Sequence, residues 1–161
     1  MSKILFSIIL FGIIGCKING QNKKKLDYKY PIEKTDDEWK KELPELSYYI
    51  LRKSYTEPAF TGKFNKFYEK GYYVCGGCNS ELYNSKNKYD SKSGWPSFDK
   101  GNNQNLEYTV DYKLGFTRIE LKCNKCGGHL GHMFKDGPKK TTGNRHCINS
   151  AALKFIKNNT N

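Results

Sequence analysis

No apolar run in this chain is long enough to cross a bilayer: the longest, Ile4 to Ile14, falls well short of the roughly 20 residues a spanning helix needs. No internal repeat is present, which excludes solenoids and propellers. Carboxylates are few, 16 against 28 lysines and arginines, so the formal charge is +12. Histidine is scarcer still. All three lie between Cys123 and Phe155, in CNKCGGHLGHMFKDGPKKTTGNRHCINSAALKF, together with three of the six cysteines. Titratable, metal-binding and nucleophilic side chains crowded into one glycine-rich stretch are the composition of a reaction site.

The positive charge raises the possibility of nucleic-acid binding. The lysines, however, are scattered along the chain, often beside asparagine, and form no stripe; no aromatic RNA-binding signature accompanies the tyrosines. Solvated lysines with a weak attraction to anionic surfaces are the expectation, and no nucleic-acid partner.

One early lysine followed by the apolar run of residues 4–14 fits the core of a secretory signal. Ile13-Ile14-Gly15-Cys16 resembles a bacterial lipobox, in which the cysteine is acylated and becomes the first residue after cleavage. The expected organisation is a signal over 1–15, a lipidated polar tether over 16–30 and one domain over 31–161. Cys16 would carry the lipid, and multiple acyl chains anchor stably where one does not. The place implied is the bacterial cell envelope, membrane-anchored on the periplasmic or extracytoplasmic side. The competing reading is an uncleaved anchor helix with a chance cysteine.

Within the domain, Thr35-Asp36-Asp37-Glu38 has capping-box spacing and predicts a short helix through Trp39 to Leu43. Pro44 suits the first turn of a second helix with Leu46, Tyr49, Ile50 and Lys53 on one face. Strands are predicted over Tyr72–Cys75, over the alternating Phe116–Lys122, and over Arg145–Asn149 after a turn at Asp136-Gly137-Pro138. The fold class expected is mainly β and antiparallel, with short N-terminal helices. At 37% hydrophobic residues, such a domain gains from a metal staple.

Cys75-Gly-Gly-Cys78 and Cys123-Asn-Lys-Cys126 are two CxxC knuckles. A two-residue gap lets both sulfurs of a knuckle reach one ion, and two knuckles complete a tetrahedral zinc site. Two disulfides, or one redox-active pair, are the alternatives. Structural zinc is favoured because no βαβ context surrounds either pair. His129 follows closely, but a four-thiolate site has no place for it.

With Cys16 acylated and four cysteines on a metal, Cys147 stands alone. On a strand, Arg145, Cys147 and Asn149 share one face, whereas His146 and Ile148 face the other, His146 outward. Arg145 would lower the thiol pKa and Asn149 would hydrogen-bond a neighbour. An inert core cysteine is the alternative. His129 and His132 would have to reach Cys147 through folding.

SGWPSF (Ser93 to Phe98), the paired CxxC knuckles, GGHLGHMFKDGP and RHCINSAALKF together resemble the methionine-R-sulfoxide reductase (MsrB) family, over about Trp39 to Phe155. The resemblance implies two antiparallel sheets in a barrel-like β-tent and a structural Zn2+ on Cys75, Cys78, Cys123 and Cys126. It implies attack of Cys147 on the sulfoxide sulfur and a sulfenic acid intermediate. His129 and His132 would act on the sulfoxide oxygen, Arg145 and Asn149 on the nucleophile, and Asp136 in support. Trp95, with Phe134, would hold the substrate; otherwise Trp95 is a core aromatic. The GCFW-type motif of S-epimer enzymes is absent.

One departure bears on turnover. Many family members carry a resolving cysteine immediately before the Gly-Trp pair, where this chain has Ser93. The expectation is direct reduction by an external thiol, from a thioredoxin-like protein or a small dithiol, in a monomer acting on oxidised proteins and peptides. A non-catalytic zinc-knuckle binding module and a Cys-His hydrolase are the competing classes.

Overall fold

The computed structural model describes residues 29–158. The signal, the Cys16 lipidation and nearly all of the tether fall outside the described residues. None of the described helices is long and apolar enough to cross a membrane.

Helix α1 spans Asp36–Glu42 and opens on the anticipated capping box, in which Thr35 and Glu38 each accept from the other's backbone. Helix α2 spans Glu45–Lys53, with Pro44 as its cap residue and not in its first turn. Its buried face differs from the expected one. Tyr48, Ile50 and Leu51 are inside, while Leu46 and Tyr49 are each 44% exposed. The helix is turned by what it covers: Leu51 lies against the knuckle glycines Gly77 and Gly128, and the Ser47 hydroxyl donates to Ala151 O.

Nine strands follow: β1 Gly71–Cys75, β2 Glu81–Asn84, β3 Lys88–Tyr89, β4 Ser97–Phe98, β5 Leu106–Asp111, β6 Arg118–Cys123, β7 His129–Phe134, β8 Arg145–Ile148 and β9 Leu153–Lys157. They form two sheets, ordered β2-β1-β9 and β3-β4-β8-β7-β6-β5, with every pairing antiparallel. The expected β class and two-sheet architecture are what the chain adopts. Between the layers lie Tyr73, Tyr83, Phe98, Leu82, Leu121, Leu130 and Ile148, all essentially solvent-free. Tyr83 stacks on Phe98 with centroids 4.2 Å apart. Each such side chain contributes on the order of 1.5–3 kcal/mol by leaving water.

Strand β6 begins two residues later than anticipated, because Gly115, at φ +78, turns the β5–β6 hairpin and leaves Phe116 59% exposed. Its alternation also carries a second meaning: Glu120 is buried along with Leu121. Both faces of this sheet are covered at that point. Before α1, the chain is tied to the second knuckle: Ile32 N donates to Lys125 O, and the Tyr30 ring occupies the space a side chain at Gly127 would need.

Candidate active site and metal clamp

The pairing register of the larger sheet assembles the site. Opposed residues of antiparallel strands share a face, so one lateral row runs Thr109, Glu120, His132, Cys147, Ser97 across β5, β6, β7, β8 and β4. The neighbouring pairs Asp111–Arg118 and Phe134–Arg145 project to the same side, two residues along their strands. This row exists because β7 comes close to β8 at Gly131, where a Cβ would lie 2.0 Å from Cys147 O. Any other residue there would force the two strands apart.

A cavity of about 170 Å³ is lined by Thr56, Trp95, Arg118, Gly131, His132, Phe134, Cys147, Ile148 and Asn149. The thiol is half-buried. Burial pushes its pKa above the usual thiol value; the Arg145 guanidinium and the Ser93 hydroxyl, 3.8 Å from Sγ, act against that without overcoming it. Arg145 is itself fixed by two 2.9 Å bonds to the Asp136 carboxylate and lies 4.5 Å over the Phe134 ring. Asp136 is largely exposed, touches no cavity atom, and works through Arg145. Asn149 faces the cavity but spends its carboxamide on backbone: Nδ2 donates to Leu130 O and Oδ1 accepts from Glu57 N, both at 3.0 Å.

Behind the cavity lies a polar network that motif reading did not find. His132 Nε2 donates to Asp111 Oδ2 at 2.8 Å, and the same oxygen receives Arg118 at 2.5 Å. Asp111 is accordingly held well below the usual carboxylate range by its bonds to the Lys113 backbone, His132 and Arg118. Burial lowers the His132 pKa, with Asp111 opposing, so the ring is neutral near pH 7. His129 does not reach the cavity wall. It sits behind His132, centroids 5.4 Å apart, with Nδ1 donating 2.6 Å to Glu120 Oε1. Burial disfavours the Glu120 charge, but the His129 bond and the Lys122 ammonium prevail and bring its pKa down to about 2. His129 Nε2 is buried with no protein partner among the described residues.

His146 needs correcting. It lies on the face of β8 opposite Cys147, as alternation requires, yet that face is interior and not outward: the ring is 2% exposed, with Nδ1 3.3 Å from the Tyr83 hydroxyl. Burial pulls its pKa down to about 4, so it is a neutral core histidine. Arg118, Asp111, Glu120, Thr56 and Glu57 were not anticipated. The signal for two of them was present, since Arg118 and Glu120 are the polar half of the β6 alternation.

The two knuckles meet at the ends of β1 and β6, joining the two sheets. They fold alike: Cys75 N and Cys123 N donate to Ser80 O and Gly128 O, while Asn79 N and Gly127 N return to Cys75 O and Cys123 O. The four sulfurs lie within 4.8 Å of one another, with Cys78–Cys123 at 3.5 Å and Cys75–Cys126 at 3.7 Å. A tetrahedron of Zn–S bonds of about 2.3 Å has sulfur–sulfur edges of roughly 3.8 Å, so the four residues fit a zinc-sized ion. Four thiolates this close would repel without a cation. No disulfide links them, and the four sulfurs lie across the two knuckles as one cluster.

A lone half-buried thiol in a cavity lined by His132, with the Arg145 guanidinium near it and a separate four-cysteine clamp, is an arrangement suited to thiol redox chemistry. The SelR domain family matches residues 43–157. The chain is 50% identical over 129 residues to a peptide methionine sulfoxide reductase MsrB of Leptospira interrogans, covering 80% of this chain and 98% of that protein. A probable methionine-R-sulfoxide reductase B of Caenorhabditis elegans is 46% identical over 140 residues, 86% of this chain and 91% of that one. The MsrB of Burkholderia pseudomallei is 44% identical over 130 residues, 80% and 91% of the respective chains. This chain belongs to the SelR-domain MsrB family of methionine sulfoxide reductases.

Proposed function

We propose that the chain reduces methionine-R-sulfoxide in proteins and peptides through a sulfenic acid on Cys147. The observation that carries this reading is the row that sets Cys147 and His132 side by side on one cavity whose other walls are Trp95 and Phe134. An apolar wall suits the S-methyl group, and the polar wall suits the sulfoxide oxygen.

In the first step the Cys147 sulfur attacks the sulfoxide sulfur, forming a sulfur–sulfur bond, and the sulfoxide oxygen takes up a proton. The proton comes from solvent; the oxygen then passes to Cys147 as S–OH while the sulfur–sulfur bond and the original sulfur–oxygen bond break. The substrate sulfur gains two electrons and leaves as methionine; Cys147 loses two. Arg145, aligned by Asp136, stabilises the thiolate that attacks. An external thiol then condenses with the sulfenic acid, releasing water and leaving a mixed disulfide. A second thiol releases Cys147 and departs as the disulfide. The residue nearest the Cys147 sulfur in the old resolving position is Ser93, which forms no disulfide, and the other described cysteines all sit in the clamp. Cys75, Cys78, Cys123 and Cys126 would hold Zn2+, which supplies cross-linking strength and no chemistry. Acylated Cys16 would tether the enzyme to the bacterial envelope, where it repairs oxidised proteins.

The test offers R- and S-methionine sulfoxide with dithiothreitol to the wild type and to Cys147→Ser. Turnover of the R epimer alone, lost in the variant, is the expected result. No turnover of either epimer by the wild type would return the chain to the binding-module or hydrolase classes, and turnover that persists in Cys147→Ser would remove Cys147 as the nucleophile.

A further inference from the structure

We propose that Glu57 is a positioning residue of this site, whose buried carboxylate fastens a long irregular segment to the exit of β8 and so sets Trp95 and Asn149 in place around Cys147. Only the kinetic arm of its test rests on the reductase reading.

Between α2 and β1 run 17 residues, Ser54 to Lys70, with neither helix nor strand. Segments of this length in a compact domain are uncommon and need anchors. Glu57 supplies four at once. Its backbone N donates to Asn149 Oδ1 at 3.0 Å, and its carbonyl accepts from the Trp95 indole N–H at 3.0 Å. Its two carboxylate oxygens accept from Ser150 N at 2.5 Å and Ala151 N at 3.0 Å. The residue therefore touches one cavity wall through Trp95, the other through Asn149, and the chain leaving the nucleophile strand through its own side chain.

The expense of this arrangement argues that it does something. Glu57 is 2% exposed and forms no salt bridge among the described residues, and a buried carboxylate without a cation is costly. Burial pushes its pKa up, with the Ser150 and Ala151 amides opposing. Gly62 leaves the room it needs, since a Cβ there would stand 2.5 Å from Glu57 Oε1. A cap for two amides could be had from a hydroxyl or a backbone carbonyl. What a two-oxygen acceptor adds is a fixed orientation of residue 57, and with it the direction of the carbonyl that receives Trp95.

The chain has two tryptophans, so a Trp39→Phe background leaves Trp95 as the sole reporter. Trp39 Nε1 is buried without a partner among the described residues, so this background gives up no hydrogen bond seen there. In it, Glu57→Ala is expected to make Trp95 about twofold more quenchable by acrylamide. It should also raise KM for a methionine-R-sulfoxide peptide about tenfold with a smaller change in kcat, because the platform and not the nucleophile is displaced. Glu57→Gln, which keeps one acceptor and turns an NH2 toward the other amide, should shift both readouts less in the same direction. Iodoacetamide alkylation of Cys147 should stay within about twofold, as its neighbours Arg145 and Ser93 are untouched. Folded variants with unchanged quenching and unchanged KM overturn the proposal. So does failure of both variants to fold, which would make Glu57 a determinant of folding only. If the wild type turns over no sulfoxide, the reductase reading falls, while Trp95 quenching still decides the role of Glu57.

Discussion

The chain uses sulfur in two ways, and the clamp and the cavity differ in what surrounds the atom. In the clamp, four sulfurs crowd within 4.8 Å of each other on matched turns, and their mutual repulsion makes them a receptor for a cation. In the cavity one sulfur stands alone, with Arg145 and Ser93 nearby and a ring-lined space in front. The first environment could commit its electron pairs to a metal; the second leaves an open side from which an electrophile could approach. Reactivity here follows from the number of neighbours and the open side, not from the residue type.

Removing either kind of sulfur should separate the two most sharply. Cys147→Ser is expected to lower turnover by at least about 10³-fold while zinc content, by elemental analysis, stays at one per chain. Cys126→Ser should do the reverse: metal is lost and the melting temperature falls by at least about 10 °C, since structural zinc carries folding free energy. Smaller is the effect of Arg145→Met, about tenfold in kcat/KM, read together with the pH dependence of iodoacetamide alkylation. Because burial already raises the Cys147 pKa, alkylation of the wild type should climb as pH rises through and above the usual thiol value; removing the opposing guanidinium should move that climb to higher pH. The slightest change expected is from Ser93→Cys. Epimer choice should be unaltered, and one equivalent of substrate should leave an internal disulfide to Cys147, detectable by non-reducing peptide mapping, because the Ser93 oxygen already lies 3.8 Å from the sulfur.

Much of this arrangement could be read from local pattern, where a motif's meaning is contained in its own spacing. The Thr35–Glu38 box, the two knuckles and the face shared by Arg145 and Cys147 are of that kind. What escaped depends on pairing between strands far apart in the chain. Glu120 meets His129 and His132 only through the β6–β7 register, which shifts at Leu121/Lys122. Asp111 meets His132 across β6, from the far edge of the sheet. Glu57 sits in a segment with no periodicity at all. His146 misled for a related reason: alternation tells which side a residue faces, and not whether another layer covers that side. Helix α2 misled because its apolar residues outnumber its buried positions.

The contact of Tyr30 and Ile32 with the second knuckle bears on mechanics. Tension applied through the N-terminal segment would enter the folded body at the second knuckle, where the two sheets meet. Strand β8 and its thiol are not part of that point of entry, so a pull on this segment would not act on Cys147 directly.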